Sequence, residues 1–384
     1  MKKSFVTIFE KTENIHLIKD VGQIPYLMHQ YFNYKSTIVT YKNSNTYSYL
    51  NTETKGLLLQ FIPKIKLGRY SLSILWYIFK NAKNIDVLNL YHHRDKTYLN
   101  FLLYKLRNPH GIAFLKSDIG LKSVEENQNF YPKRFKYFMR HLLFKQLLPK
   151  IDIISIESKE GYNIISNQIY PQYKDKFLYL PNGINIDKMH SIVKPKSFEE
   201  KENLIITVGR IGAPEKNNEL LLNAMEYIDL EEWKVIFIGP IEEPFKQTVN
   251  DFFDKHPNLK DKVIFTGPIY ERNKLYEWYA RSKVFCLTSF AEGSPLVFPE
   301  ALSYGNFLVT TDISGAYQAT NNQQFGIVIQ QNNLSELVRT LRNIQPHTYL
   351  NDTNSTIDFT KLNFNWLNIL TLLEEKISNI KKVN

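Results

Sequence analysis

The most informative stretch of the chain is Glu292-Gly-Ser-Pro-Leu-Val-Phe-Pro-Glu300-Ala-Leu-Ser-Tyr-Gly305. It follows an apolar, β-prone run that ends at Ser289, and Pro295 suits the first turn of a helix that Gly305 can end. Glu292 is then expected in a strand-to-helix loop and Glu300 inside the helix, with unbonded backbone N–H groups between them. Such a helix start attracts phosphate groups, although the spacing alone also fits two unrelated surface glutamates. The rest of the chain decides between these interpretations.

A second motif of the same kind is Thr207-Val-Gly-Arg-Ile-Gly-Ala-Pro-Glu-Lys-Asn217. It leaves a predicted strand through Gly209 and carries two cations, Arg210 and Lys216, ahead of a predicted helix. Arg210 can donate two hydrogen bonds to diphosphate oxygens, and Lys216 adds a point charge, so the motif predicts stabilisation of a departing diphosphate. Taken alone, the motif also describes a solvated turn with ordinary surface cations.

Strand-like apolar runs alternate with helical patterns along the whole chain, as in parallel sheets flanked by helices. The predicted strands cover residues 5–9, 37–41, 87–90, 112–115, 151–156, 204–208, 234–238, 263–265, 284–287 and 307–310. The predicted helices include residues 218–228, 245–255, 273–281, 334–344 and a last one over 364–382. The pattern predicts an α/β protein with two Rossmann-like halves, which separate at the turn Leu180-Pro-Asn-Gly-Ile184.

Length and composition agree with a two-domain globular protein. The 384 residues suit two domains of about 150 to 200 residues each, and 43% hydrophobic with 22% charged residues is ordinary. The single cysteine, Cys286, excludes an intramolecular disulfide framework and favours a reducing cytoplasm. The first apolar run breaks at Glu10, and the longest strongly apolar stretch, residues 72–79, is shorter than a bilayer span. We therefore expect neither a signal peptide nor a membrane-spanning helix.

The net charge of +10 is unevenly distributed along the chain. Residues 1–190 hold 28 Lys and Arg against 14 Asp and Glu, whereas residues 191–384 hold 20 against 24, which gives +14 and −4. This imbalance predicts that the first half faces an anionic partner, which is a nucleic acid, a phospholipid or a phosphate-bearing substrate.

Four motifs follow one another in the second half: Pro181-Asn-Gly-Ile184, Val208-Gly-Arg210 with Lys216 and Asn217, Phe265-Thr-Gly267, and Glu292-Gly through Glu300-Ala-Leu. In order and spacing they resemble the retaining family-4 glycosyltransferases of GT-B fold, over most of residues 180–345. The resemblance implies two Rossmann-like domains that face each other across a cleft. The first, residues 1–182, would shape the acceptor side, and the second, residues 183–363, would bind the nucleotide-sugar. A terminal helix over residues 364–384 would cross back to the first domain.

The resemblance also implies roles for individual residues. Arg210 and Lys216 would hold the donor diphosphate, and Glu292 would bind hydroxyls of the transferred sugar as the third catalytic residue. Glu300 would accept hydrogen bonds from the ribose, because a carboxylate can accept from a pair of hydroxyls. Tyr270 lies where family members pack the nucleotide base, although an aromatic after a strand more often packs in a core. The expected donor-binding residues are Gly22, Gly209, Gly293, Ser294, Leu296, Val297, Glu300 and Tyr270.

The first half departs from the family pattern in two places. Family members often have paired glycines in the loop after the first strand, whereas this chain has only Gly22, so a second amide would come from Gln23. Many members also have a histidine where this chain has Lys116-Ser-Asp118. On the acceptor side, Lys116 or Asp118 fills that role, or the His92-His93 pair supplies it, with His93 as the candidate; both histidines are equally typical of hydrogen-bonded structural residues.

The sequence offers no recognisable metal site. It contains no Asp-x-Asp triplet and no His/Cys cluster with ligand spacing. We expect no metal and no cofactor, since the two cations and the helix amides can supply the positive charge that a metal would bring. Retention of the anomeric configuration is implied by the resemblance and does not follow from the residues themselves.

Residues 131–150 form the other unusual segment of the chain. Apolar residues recur there at helical spacing, and cations fill many of the other positions with no acidic residue among them. The pattern is typical of a helix that lies on an anionic membrane, and equally of a helix that packs on the first sheet with a basic face to water. The charge of the first half favours the membrane, and no nucleic-acid motif accompanies it.

The sequence as a whole predicts a cytoplasmic hexosyltransferase, peripheral on the inner face of the plasma membrane and independent of metal. It would move a sugar from a nucleotide diphosphate, in the first place UDP, to a hydroxyl of a polyprenyl-diphosphate-linked glycan in bacterial capsule or exopolysaccharide synthesis. Two alternatives stay open. A nucleotide-sugar epimerase on the same fold would need no acceptor, and a non-catalytic partner subunit would tolerate loss of Lys216 or Glu292.

Overall fold

A computed structural model describes residues 2–117, 146–344 and 353–383. Its strands are, in chain order, β1 (Lys3–Ile8), β2 (Tyr34–Thr40), β3 (Leu58–Phe61), β4 (Lys66–Leu67), β5 (Tyr70–Ser71), β6 (Val87–Tyr91), β7 (Ile112–Ser117), β8 (Ile153–Ile156), β9 (Phe177–Tyr179), β10 (Glu202–Val208), β11 (Lys234–Ile238), β12 (Val263–Gly267), β13 (Ser282–Leu287), β14 (Phe307–Thr311) and β15 (Gly326–Ile329). Its α-helices are α1 (Asp20–Phe32), α2 (Tyr49–Thr52), α3 (Leu72–Asn81), α4 (Asp95–Arg107), α5 (Lys159–Ile164), α6 (Ile186–Ile192), α7 (Asn218–Ala224), α8 (Glu243–Lys255), α9 (Arg272–Arg281), α10 (Val297–Ser303), α11 (Ala316–Ala319), α12 (Leu334–Ile344), α13 (Thr353–Phe364) and α14 (Trp366–Val383). Asp118 and residues 131–145 of the basic segment lie outside the described residues.

The chain divides into two compact units, each built around a parallel sheet. Unit 1 comprises Met1–Asn182 and Trp366–Asn384, and unit 2 comprises Gly183–Asn365. The sheet of unit 1 has the order β3-β2-β1-β6-β7-β8-β9, and that of unit 2 has the order β12-β11-β10-β13-β14-β15. In both sheets the order runs one way from the first strand and then the other, which is the doubly wound Rossmann arrangement. The predicted α/β class with two Rossmann-like halves is confirmed.

All ten predicted strands are present. Most are short apolar runs buried on both faces, whereas the edge strand β12 buries only Val263 fully. Five further strands were not predicted: β3, β4, β5, β9 and β15. They are four residues long or fewer, and β3 forms an exposed edge of its sheet, where no core imposes an apolar pattern.

The last helix, α14, packs on the sheet of unit 1, as predicted. Its apolar face joins the buried cluster that contains Phe5 and Ile24. Glu374 accepts a hydrogen bond of 2.7 Å from the Tyr34 hydroxyl, and Lys381 Nζ lies 2.7 Å from Asp86 Oδ1. Apolar burial and these polar contacts together fix the helix in place.

A buried lysine lies at the amino ends of β10 and β13 in unit 2. Lys201 Nζ donates a hydrogen bond of 2.7 Å to the carbonyl of Ser282, which also accepts from the side-chain amide of Asn306. Burial, reinforced by the nearby Lys196 and Lys283, lowers the pKa of Lys201 to about 7. Folding therefore favours the neutral amine.

We expect Lys201→Met to raise the thermal midpoint at pH 7 by at least about 3 °C, because a side chain of similar volume removes the cost of burying a charge. Between the lowered pKa and the ordinary value of 10.5, the unfolded lysine holds a proton that the folded one has lost. Unfolding then takes up a proton, so the parent protein becomes more stable as pH rises from about 7 to 10.5. The difference in thermal midpoint between Lys201→Met and the parent should therefore shrink over this range. Thermal melts of both proteins across this pH range measure the difference, and Lys260→Met, at an exposed lysine, is the control. A lower midpoint for Lys201→Met at pH 7 would contradict the assignment.

Candidate functional site

Two loops meet where the strand order of unit 2 reverses. Strands β10 and β13 are neighbours and parallel, yet β11 lies on one side of this pair and β14 on the other. The connections that follow such a pair run to opposite sides of the sheet, and the crevice outside these strand ends is where open α/β sheets bind ligands. The loop after β10 carries Arg210 and Lys216, and the loop after β13 carries Glu292.

Glycines at the strand ends allow the backbones to approach closely. Gly239, directly after β11, has a φ of +144°, and a Cβ placed on it would lie 1.7 Å from the carbonyl oxygen of Gly209. Only glycine fits at this point. The close approach fixes the path of the chain at Gly209, the first residue of the loop that carries the two cations.

The two loops are joined to each other by hydrogen bonds. The backbone N–H of Phe290 donates to the carbonyl of Glu215 at 2.9 Å. The hydroxyl of Thr288 donates to the carbonyl of Asn217 at 2.8 Å. Asn217 adopts a left-handed conformation with a φ of +46°, which ends the 3-10 turn Pro214–Lys216 and starts α7. The position of Lys216 relative to the second loop is therefore set by the backbone.

Lys216 and Glu292 form the central ion pair of the site. Lys216 Nζ lies 2.5 Å from Glu292 Oε1, and the Ser289 hydroxyl donates to the same oxygen at 2.8 Å. Both charged side chains are mostly buried. The sequence predicted Lys216 and Glu292 as site residues but not their direct contact, and nothing in the sequence singled out Ser289.

Arg210 extends from the same loop into solvent. Its guanidinium pairs with Glu215 and lies 3.6 Å, from Nη1 to Oε1, from Glu242. The Arg210 side chain is 58% exposed, so these pairs are weak and can exchange for another anion. Glu215 lies between the two cations in the sequence, which is the only signal by which its role as a partner could have been anticipated.

Glu300 lies in α10, as predicted, and is held by two side chains from α9. Its Oε2 accepts a hydrogen bond of 3.0 Å from the hydroxyl of the buried Tyr279, and its Oε1 lies 3.5 Å from Arg272 Nη1. Burial raises the pKa of Glu300, and Arg272 and Tyr279 oppose that rise. Arg272 and Tyr279 were missed because an arginine and a tyrosine in a helix carry no motif.

The remaining donor-side candidates lie around these loops. Gly293, Ser294 and Leu296 belong to the loop before α10, and Val297 is the first residue of that helix. Tyr270 follows β12 and is 80% exposed, so the alternative that it packs in a core is wrong. An exposed aromatic ring at this edge of the sheet is available to stack on a planar ligand.

The structure corrects the placement of Gly22. It lies in the first turn of α1 and not in a loop, and its backbone N–H donates to the carbonyl of Lys19 at 3.0 Å. The N–H of Gln23 donates to the same carbonyl at 2.8 Å. A Cβ on Gly22 would lie 2.3 Å from the carbonyl oxygen of Leu17, so packing against the preceding turn explains the glycine.

Lys116 is also corrected, because it is an interior residue. Its side chain is 1% exposed, and its ammonium pairs with Glu157 and donates to the Asn182 side chain at 3.3 Å. Loss of either partner would leave an uncompensated buried charge, and the burial keeps the ammonium away from a ligand at the surface. His93 is held on both ring nitrogens, by the Ser117 hydroxyl at 2.8 Å and by the Tyr98 hydroxyl at 3.0 Å.

Unit 1 has a cavity of its own where its strand order reverses, between β1 and β6. The cavity measures about 150 Å³ and is lined by residues that include Phe9, Glu10, His92 and Lys96. Glu10 Oε1 lies 2.7 Å from Lys96 Nζ, and His92 adopts a φ of +64°. A left-handed residue that is neither glycine nor asparagine is typical of functional loops. Of the residues that line this cavity, the sequence analysis considered only His92 as a candidate for a functional site.

In residues 2–117, 146–344 and 353–383, no group of three or more His, Cys, Asp or Glu side chains is arranged to hold a metal. No helix within those ranges is long and apolar enough to cross a bilayer.

Residues 189–346 match the family "Glycosyl transferases group 1". The chain is 29% identical over 203 residues to the GalNAc-alpha-(1->4)-GalNAc-alpha-(1->3)-diNAcBac-PP-undecaprenol alpha-1,4-N-acetyl-D-galactosaminyltransferase of Campylobacter jejuni, covering 50% of each protein. It is 26% identical over 190 residues to the UDP-Gal:alpha-D-GlcNAc-diphosphoundecaprenol alpha-1,3-galactosyltransferase of Escherichia coli, covering 46% of this chain and 47% of that enzyme. The matches therefore span about half the length of these curated relatives.

The fold extends the likeness beyond the matched segment. The sucrose-phosphate synthase of Thermosynechococcus elongatus superposes with a TM-score of 0.72 at 14% identity, and the match covers 100% of both chains. The crevice of unit 2, with its paired cations and carboxylates, lies inside the segment that the family model matches. Residues 189–346 of this chain are thus similar to the group 1 glycosyltransferases, and the chain has the GT-B fold.

Proposed function

We propose that this chain transfers a hexose-type sugar from a UDP-sugar to a hydroxyl of a lipid-linked glycan, with retention, in the synthesis of a bacterial surface polysaccharide. The observation that carries the proposal is the Lys216–Glu292 ion pair at the strand-order reversal of unit 2, with Arg210 in the same loop and Glu300 in the helix that follows. A cation for phosphate and a carboxylate for hydroxyls lie in contact, which suits a ligand that carries both groups.

Binding of the donor would exchange partners at this site. A diphosphate brings two negative charges to Lys216 and Arg210, in place of the carboxylates that neutralise them in the structure. Glu292 is then released from Lys216 and can accept hydrogen bonds from hydroxyls of the sugar. As the bond from the sugar to the diphosphate breaks, both cations face the oxygen on which negative charge develops.

Glu300 would bind the ribose through the hydrogen-bond acceptor sites that its protein partners do not use. A carboxylate has about four lone-pair sites, of which Tyr279 and Arg272 use two. These partners also hold the carboxylate in place, and one lone-pair site remains on each oxygen. The cis hydroxyls of a ribose match such a pair of acceptors.

The acceptor would bind to unit 1. Its cavity between β1 and β6 joins an aromatic side, Phe9 and Tyr91, to a charged side, Glu10 and Lys96. Sugars pack on aromatic rings and donate to carboxylates, and a phosphate pairs with lysine. The names of both curated relatives include an undecaprenol joined through a diphosphate, and an acceptor of this chemistry supports the assignment to polysaccharide synthesis.

The test measures UDP release from a panel of UDP-sugars, with and without a polyprenyl-linked acceptor extract, and with EDTA present throughout. We expect release from one donor, dependent on the extract and insensitive to EDTA, and the product should keep the anomeric configuration by NMR. Release without acceptor would indicate hydrolysis or epimerisation. If no donor turns over and UDP leaves the thermal midpoint unchanged, the donor-site proposal fails and the partner-subunit alternative takes its place.

A further inference from the structure

Helix α3 is apolar on both of its faces. Ile74, Tyr77 and Ile78 are buried against the sheet of unit 1, whereas Trp76 is 65% exposed and Phe79 and Leu72 are also exposed. The exposed three are spaced four and three residues apart, so they form one stripe along the helix. A surface helix ordinarily turns polar residues to water, and a helix that is apolar all round is ordinarily enclosed. The solvent-facing stripe of α3 is therefore apolar, where a surface helix normally has polar side chains.

The stripe continues into the neighbouring hairpin. Leu67 is 69% exposed at the β4–β5 turn, and Ile65 beside it is also exposed. The hairpin is fixed to the start of the helix, because the N–H of Leu72 donates to the carbonyl of Ile65 at 3.0 Å. We call these five side chains the apolar surface of unit 1: Ile65, Leu67, Leu72, Trp76 and Phe79.

The apolar surface contains stacked aromatic rings, and its edges are basic. The rings of Trp76 and Phe79 stack with centroids 5.8 Å apart, and the Arg107 guanidinium lies 4.4 Å from the Phe79 centroid. Residues 57–85, which contain the whole surface, hold five Lys and Arg and no Asp or Glu. All five cations are exposed, but Lys66 pairs with Glu10 and Arg69 pairs with Asp95, so the basic character of the edges rests on Lys64, Lys80 and Lys83.

We infer that the apolar surface of unit 1 docks on an anionic lipid bilayer. An exposed tryptophan beside leucine and phenylalanine, bordered by lysines, is the chemistry of a protein face that enters the headgroup region while its cations meet lipid phosphates. A second copy of this chain is a poorer occupant. A twofold interface would bring Lys64, Lys80 and Lys83 of each copy close to those of the other, with no acidic residue from this segment to pair them.

The assignment is independent of the proposed function, since it rests on residues of α3 and the hairpin and on none of the donor-site residues. The apolar surface is also separate from the basic segment 131–150, since none of its five residues lies in that segment. If both hold, the surface would bring unit 1 to the lipid phase in which a polyprenyl-linked acceptor resides.

The experiment is co-sedimentation of the full chain with vesicles of phosphatidylcholine, with or without phosphatidylglycerol, at low and high salt and without donor or acceptor. We expect binding only to the anionic vesicles, weakened by salt. Lys80→Gln with Lys83→Gln should weaken it roughly 25-fold at low salt, and Trp76→Ser at least about tenfold. The matched controls are Lys255→Gln with Lys260→Gln and Tyr227→Ser, exposed residues of unit 2 that should leave binding unchanged.

Tryptophan fluorescence and a donor-site variant provide two further readouts. Tryptophan emission should shift to the blue on anionic vesicles, and Trp76→Phe should lose most of that shift while it keeps binding, because the ring remains apolar. Lys216→Ala should bind vesicles like the parent whatever its activity. Absence of binding at low salt, or equal binding to neutral vesicles, overturns the inference. Concentration-dependent dimerisation that Trp76→Ser abolishes, with no vesicle binding, would assign the surface to a second copy instead.

Discussion

Lys216→Ala should lower kcat by about 100- to 1000-fold, because it removes a fixed positive charge from the oxygen on which the departing diphosphate gains negative charge. The structure gives this cation a defined place: backbone hydrogen bonds join its loop to the loop after β13, and its ammonium already lies 2.5 Å from Glu292. A charge positioned before the reaction needs no reorganisation during it. Steady-state kinetics with the donor identified by UDP release measures the effect. We expect kcat to fall more than KM rises.

A double variant separates catalysis from structure. Lys216→Ala alone leaves the mostly buried Glu292 without its cation, which should lower the thermal midpoint. Glu292→Gln added to Lys216→Ala removes that unpaired charge, so stability should recover while kcat stays low. The exposed Lys260→Ala serves as control for loss of a lysine elsewhere in unit 2. An unchanged kcat with a raised KM would show that Lys216 binds the donor equally before and during the reaction.

Gly239→Ala should lower the free energy of unfolding by about 3 to 5 kcal/mol, or prevent folding of unit 2. A methyl group at this position would lie 1.7 Å from the Gly209 carbonyl oxygen, and backbone at the ends of two paired central strands cannot give way as a side chain does. The φ of +144° adds strain for any residue with a Cβ. Denaturant unfolding followed by circular dichroism measures the loss.

Gly267 supplies the matched control for this prediction. It ends the next strand, β12, and also has a positive φ, +70°, but nothing lies within 4 Å of a Cβ placed on it. Gly267→Ala should therefore show only the cost of the left-handed conformation, about 1 kcal/mol. Similar losses at the two glycines would mean that conformation and not the contact with Gly209 explains Gly239.

The architecture could be predicted from the sequence because it depends on local patterns of apolar and polar residues. Each buried strand is a short apolar run, and alternation with helical patterns leaves a parallel sheet as the consistent arrangement. The positions of Glu292 and Glu300 followed from the same local logic, since Pro295 and Gly305 bracket a helix start and end. Family resemblance added the candidate roles, which remain predictions.

What the sequence could not supply are the contacts made across the fold. The sequence predicts Gly22 as a donor-binding residue, but the carbonyl of Leu17 is what requires a glycine there. Lys116 was expected at an acceptor surface, but its partner Glu157 is on the loop after the neighbouring strand and draws the ammonium inside. The support of Glu300 by Arg272 likewise depends on how α9 packs beside α10. Partners of this kind follow from packing in three dimensions and leave no periodic trace.

The return of α14 to unit 1 determines the order in which the two units can be completed during synthesis. Unit 2 is one continuous segment, Gly183–Asn365, whereas the core of unit 1 includes Trp366, Leu370 and Leu373 from the end of the chain. A ribosome delivers all of unit 2 before the residues that close the core of unit 1. The amino-terminal unit, although made first, is thus the last to acquire its full set of contacts, and a premature stop that spares every donor-site residue would leave that unit with an open apolar face.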